Sequence, residues 1–318
     1  MTGSGREGTQ KGTKRGAAAA PRVSFEFFPP TTPRLARQFW FALGRLAPLA
    51  PDFVSITYGA GGRTRQRTHE MVVAVRRRTG VEPAAHLTCV GASRREIEVI
   101  LARYWRTGIR HLVALRGDPP SGGGPFVPHP EGYNGAADLV AGIRAFADFE
   151  ISVAAHPEGH PDSSSIQADL DHLKRKEAVG ASRAITQYFF DPEVFLRFRD
   201  QVIRAGIRMP LVPGILPVTD FAQLQRISAR CGARVPPRLE RLFSGLDQEP
   251  ETSKLVATQV TADLCQTLFR EGVGAFHFYT LNRAEQTRAV CRFLGVSERE
   301  PRPEALRTTT LRATALRD

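Results

Sequence analysis

Residues 24–30 read Ser-Phe-Glu-Phe-Phe-Pro-Pro, an aromatic-rich run stopped by two prolines. Successive side chains of a strand point to opposite faces, so Glu26 points away from Phe25 and Phe27. Short apolar runs of this kind return at 53–58, 84–89, 112–115, 151–155, 184–188, 211–215 and 275–279. Longer amphipathic stretches such as 93–107 and 192–204 lie between them. Short strands alternating with helical patterns are βα units of an α/β fold, and eight of them close a parallel TIM (β/α)8 barrel. The connection before the last strand is too long for one helix and is expected to carry an extra pair, within 236–243 and 251–270. In such a barrel Glu26 faces the interior.

One barrel uses nearly all of the 318 residues, of which 42% are hydrophobic, so a single folded domain is expected over residues 22–296. Residues 1–21 are rich in Gly, Thr and basic side chains without apolar periodicity, and read as a disordered tail. From 297 to 318 the chain is polar, with Arg302, Arg307, Arg312 and Arg317 at a period of five that suits neither helix nor strand, and a second mobile tail is expected. No run approaches the roughly 18–20 apolar residues of a membrane span, and the N-terminus lacks the apolar core of a signal peptide. The expectation is a cytoplasmic protein with no membrane partner. Cys89, Cys231, Cys265 and Cys291 form no CxxC pair, which argues for buried thiols rather than a zinc knuckle or redox dithiol. The net charge of +12 comes mostly from arginine. Such a balance suits polyanionic ligands, with nucleic acid among them.

Several polar residues fall at the C-terminal ends of the strands, where barrels of this kind carry their chemistry. Desolvation is expected to raise the pKa of Glu26 and make it a general acid near neutral pH; the alternative is a structural ion pair with an arginine. The fourth run ends Leu115-Arg116-Gly117-Asp118-Pro119. Glycine there lets a planar ligand approach the backbone, and a carboxylate about 4 Å from a cation contributes on the order of 4 kcal/mol at an effective dielectric of 20. The alternative for Asp118 is a turn cap. His156 and His160 are four apart, but Pro157 and Gly159 oppose the helix that an HExxH zinc site needs, so no metal is assigned. The segment 163–180 reads as a helix carrying Asp169, His172, Lys174, Arg175 and Lys176, either a solvated face or a pyrophosphate holder. The Gly59–Thr64 loop lacks the third glycine of a dinucleotide turn, and the Gly cluster at 121–125 reads as a loop.

The motifs SFEFFPP, SITYGAGG, HLTC, LRGD, HPEGHPDS, the 169–176 segment, AITQYFFD, PGILPVTDF and FHFYTLNR occur in one order on successive strands. From about Val23 to Val296 this resembles the methylenetetrahydrofolate reductase family, in its bacterial form without a second large domain. The resemblance implies an oxidoreductase in which reduced nicotinamide, NADH by preference over NADPH, passes hydride to FAD. The flavin then reduces 5,10-methylenetetrahydrofolate to 5-methyltetrahydrofolate by ping-pong chemistry, feeding methionine synthesis. It implies Glu26 as the acid that opens the folate ring and Asp118 as the carboxylate that favours the resulting cation and tunes the flavin. Gln187, Gln223, Tyr279 and Arg283 would contact folate. Thr57, His86, Arg116, Gly117, Asp118, Ala136, His156, His160, Asp169, His172, Arg175 and Lys176 would contact FAD. Family members commonly form homo-oligomers.

The chain has His156 where the family often has tyrosine, His172 where asparagine is frequent, Gly135 where an aromatic often packs, and Ile227 where some members have phenylalanine. Each lost stacking contact costs about 1 kcal/mol. Two other readings are a metal-dependent barrel hydrolase built on His86, His156, His160 and Asp118, and a basic nucleic-acid-binding barrel without turnover. Scattered charge and inward-facing polar residues argue against the second, so the expected partner is a small folate and not nucleic acid.

Overall fold

The computed structural model describes residues 19–58, 65–119, 126–218 and 220–299. Most of both expected tails, the loop at 59–64 and the Gly cluster at 121–125 lie outside the described residues. The strands are β1 Arg22–Phe27, β2 Val54–Ile56, β3 Pro83–Thr88, β4 His111–Leu115, β5 Glu150–Ala155, β6 Arg183–Thr186, β7 Leu211–Val212, β8 Gly214–Ile215 and β9 Ala275–Tyr279. The helices are α1 Pro33–Leu46, α2 Arg65–Thr79, α3 Arg94–Arg106, α4 Ala136–Phe146, α5 Ile166–Ala178, α6 Pro192–Arg204, α7 Phe221–Cys231, α8 Pro237–Phe243, α9 Pro250–Arg270 and α10 Glu285–Phe293. Every ladder is parallel, in the order β7-β6-β5-β4-β3-β2-β1-β9-β8. This is the TIM barrel, and α8 and α9 are the extra pair before the last strand.

The seventh strand departs from the continuous run expected at 211–215. Pro213 has no N–H to give a ladder, so the run divides into β7, which pairs with β6, and β8, which pairs with β9. Side chains bridge this seam. The Thr186 hydroxyl accepts from Gly214 N at 2.9 Å, and the Tyr279 phenol donates to Thr186 O at 2.8 Å. A Cβ on Gly214 would stand 2.1 Å from Thr186 O, so only glycine fits that approach.

Helix starts follow short polar caps. Thr32 caps α1 ahead of Pro33, Asp191 caps α6 ahead of Pro192, and Ser93 with Glu96 forms a full capping box on α3. The helix expected over 163–180 begins only at Ile166, because Ser165 takes the cap position and accepts from Ala168 N. Phe25, Phe27, Phe276 and Phe278 face the helices in the main core. A second cluster, including Tyr188, Phe190, Leu224, Leu239 and Phe243, packs under α7 and α8. A third, Phe53, Ala84, Val113, Ile185 and Val212, fills part of the barrel interior. Among the described residues no helix is long and apolar enough to cross a membrane. Residues just past α10 are tied down: Glu298 accepts from Arg288 Nε at 2.7 Å, and Arg299 N donates to Pro48 O at 2.8 Å.

Replacing Ser93 by alanine removes the acceptor for Glu96 N and is expected to lower stability by about 1 kcal/mol, read as a reduced urea midpoint at unchanged slope. An unchanged midpoint would show that the box contributes nothing.

Candidate active site

The C-terminal ends of the strands open into a cavity of about 830 Å³, within the range usual for small-molecule and cofactor sites, roughly 300–1,000 Å³. Glu26 lies at its floor, with its side chain 13% exposed. The β1–β2 register sets it beside Ser55, and the β1–β9 register sets it beside Tyr279. His86 Nε2 on β3 stands 3.3 Å from Glu26 Oε2 without hydrogen-bond alignment, and His277 Nε2 on β9 stands 3.9 Å away. Burial pushes the carboxyl up, but His277 and His86 together outweigh it and hold Glu26 down at about 2. The expectation of a raised value is therefore corrected, because two inward-facing histidines offset desolvation. The partners are histidines rather than the arginine considered as the alternative.

The remaining residues arrive from successive strand ends. Thr57 follows β2. His86 and the unpartnered buried hydroxyl of Thr88 come from β3. Arg116, Gly117 and Asp118 follow β4, and Arg116 pairs with Asp162 at 2.7 Å. Gly117 has φ +87°, and a Cβ there would meet Val90 Cγ1 at 2.5 Å, so the glycine is required twice over. Ala136 begins α4, whose N-cap Gly135 offers no side-chain bond, which leaves first-turn N–H groups for an anion at the cavity wall.

After β5, His156 and His160 meet edge-to-face at 4.7 Å. Burial, then the charges of His160 and Lys176, bring His156 down to about 3, so it is a neutral wall. His160 N donates to Asp169 Oδ2 at 2.9 Å. Lys176 donates to Ala154 O at 2.8 Å, and burial brings its ammonium down to about 8 against the pull of Asp169. His172 also reaches the cavity from α5, and Gln187 reaches it from the end of β6. Since Gln187 Oε1 accepts from Tyr188 N at 3.1 Å, its amide N–H groups remain for a ligand. Tyr279 forms the wall opposite.

Arg175, Gln223 and Arg283 lie outside the cavity wall. Arg175 and Arg283 are exposed, and Gln223 is half-buried in the first turn of α7. Ile227 on α7 does line the cavity. Among the described residues no three His, Cys, Asp or Glu side chains converge as a metal set, which leaves the hydrolase reading on His86, His156, His160 and Asp118 without a centre. His277, Ser24, Thr88 and Asp162 had not been singled out. For His277 the signal was present: Phe276-His277-Phe278 repeats the alternation that exposed Glu26.

A family model described as methylenetetrahydrofolate reductase matches residues 12–295. The 5,10-methylenetetrahydrofolate reductase of Salmonella typhimurium is 52% identical over 274 residues, covering 86% of this chain and 90% of that protein. That of Escherichia coli K12 is 51% identical over the same share of each. Methylenetetrahydrofolate reductase (NADH) 1 of Arabidopsis thaliana is 35% identical over 281 residues, which is 85% of this chain and 47% of that protein. Among solved structures, a Clostridium thermocellum protein that binds two copies of 5-methyl-5,6,7,8-tetrahydrofolic acid superposes with a TM-score of 0.57 at 13% identity, covering 86% of this chain and 94% of that one. That likeness is one of fold.

Lys176 has an ordinary value of 10.5 and a folded value of about 8, so the unfolded chain holds the extra proton between them and stability rises with pH across that window. In protein without added cofactor, Lys176→Met is expected to remove this rise and to add on the order of 1 kcal/mol at neutral pH in urea titrations. Parallel pH slopes for the two proteins would refute the assignment.

Proposed function

The chain belongs to the methylenetetrahydrofolate reductase family, and from that premise we propose that it reduces 5,10-methylenetetrahydrofolate to 5-methyltetrahydrofolate with FAD as bound cofactor and NADH as donor. The observation that carries this reading is one cavity that combines Glu26, Asp118 and Gln187 with Lys176, Gly117 and the open first turn of α4.

The residues present fit a flavin dinucleotide. Thr88 keeps a buried hydroxyl without a protein partner at the cavity, and Gly117, whose positive φ and close approach to Val90 and Thr88 admit no side chain, brings bare backbone to the wall. Lys176 and the α4 first turn would hold the diphosphate, and Arg116, now paired with Asp162, would offer it a guanidinium. Bound there, FAD would supply two-electron hydride-transfer chemistry between the reduced nicotinamide and the folate.

The chain's own residues do the rest. The free amide hydrogens of Gln187 orient the pterin edge. Glu26 gives a proton to the ring nitrogen as the five-membered ring opens, and Asp118 favours the cation that results. In the empty site His277 and His86 hold Glu26 ionised at about 2 against burial, so the acid role requires docked folate to cover the floor, exclude water and raise the carboxyl toward its protonated form. Ile227 offers an aliphatic wall on the α7 side.

The decisive measurement is the visible spectrum of purified protein with FAD. NADH is expected to bleach the flavin band anaerobically, and methylenetetrahydrofolate to restore it. Glu26→Gln is expected to keep the first change and lose the second by a factor of about 100 or more, the usual size of a general-acid effect. A protein whose flavin responds to neither reagent would sink the reading.

A further inference from the structure

We propose that Ser24 and His277 form a buried positioning pair that orients the Glu26 carboxylate and sets the pH range over which it delivers its proton, an inference that rests on the acid role given to Glu26 above. The β1–β9 register sets Ser24 against His277 and Glu26 against Tyr279, so the pair lies one layer beneath the acid. Ser24 Oγ is 2.7 Å from His277 Nδ1 and 3.4 Å from Phe276 O. The donor in the shorter contact depends on the ring tautomer; the Glu26 carboxylate facing Nε2 favours hydrogen on that nitrogen, and Nδ1 then accepts the Ser24 hydrogen in place of Phe276 O. A neutral His277 then carries its hydrogen on Nε2, which faces Glu26 Oε2 at 3.9 Å. Burial lowers His277 against the pull of Glu26, which favours that neutral form. Phe53 stacked at 5.6 Å and Tyr279 edge-on at 5.4 Å hold the ring in this orientation.

The groups around Glu26 leave His277 a distinct part. His86 approaches from β3, within the cavity where ligand binds. Tyr279 stays a neutral phenol, pushed up by burial and by Glu26, with its hydrogen given to Thr186 O. Ser55 is the β2 neighbour and carries no charge. His111 on β4, itself brought down to about 3 by burial and then by Arg183, His277 and His86, adds no cation from below. His277 also borders the cavity, but its ring is held from behind by Ser24, which does not line it, so the imidazole keeps its aim at Glu26 as nicotinamide and folate exchange. In the step itself the proton leaves a Glu26 oxygen for the ring nitrogen, the bond from that nitrogen to the methylene carbon breaks, and its electron pair stays on nitrogen. Solvent then reprotonates the carboxylate.

The test measures both half-reactions against pH in single turnovers of the FAD-loaded enzyme. In His277→Phe the pH at which the folate half-reaction falls is expected to rise by about one unit, because burial acts on Glu26 with one donor fewer, while the NADH half-reaction stays within about twofold. His277→Gln, which retains an N–H near the Nε2 position, is expected to return the profile toward wild type. Ser24→Ala is expected to shift it in the same direction as His277→Phe by a smaller amount, and it carries the test if His277→Phe does not fold. Superimposable profiles in the variants, or parallel loss of both half-reactions, overturn the pair while leaving the acid role of Glu26 standing. A normal folate half-reaction in Glu26→Gln overturns the acid role itself.

Discussion

A carboxylate held inside a closed barrel is the constraint that the rest of the structure answers. Taking an ion of that size out of water costs several kcal/mol unless other groups compensate. The Glu26 side chain is 13% exposed, and the strands around it carry His86, His277, Ser24 and Ser55 where aliphatic layers usually fill such barrels. Only a thin apolar layer, with Phe53 at its centre, remains in the interior. The hydrophobic stabilisation is therefore concentrated outside the sheet, where the phenylalanines of β1 and β9 meet the helices. Chemistry and stability occupy opposite faces of the same strands.

The same alternation explains what could be read from the sequence. Eight βα units, the extra helices before the last strand and the inward direction of Glu26 all follow from periodicity, because burial on one face leaves a period-two trace. The division of the seventh strand was also written at Pro213, whose missing N–H outweighs the apolar character of the residues beside it. The direction of the Glu26 shift was not legible. It depends on His86 and His277, which are 60 and 251 residues away in sequence and meet the carboxylate only through strand register. The exposed positions of Arg175 and Arg283 were hidden for a similar reason, since a motif fixes the order of residues but not which side of a helix or loop faces the cavity.

The cavity wall is not assembled from independent pieces. Glu158, after β5, accepts from Arg234 N between α7 and α8 at 2.9 Å, and Pro161 lies against Gly232. The loop with His156 and His160 is thereby joined to the segment that carries Gln223 and Ile227. The two sides of the cavity share a side-chain-to-backbone hydrogen bond, and the second hydrophobic cluster gives the α7–α8 side its own packing.

Tyr279 belongs both to the cavity wall and to the seam at Pro213, where its phenol and the Thr186 hydroxyl stand in for missing ladder bonds. β7 and β8 each keep only a two-residue backbone ladder, which side chains supplement, so this line is a short link in the cooperative unit of the barrel. Anything that packs against Tyr279 tightens that line. Occupancy of the site and protection of backbone amides on β6 and β9 are thus two readings of one closure, which gives the empty and filled protein different breathing motions without any change of fold.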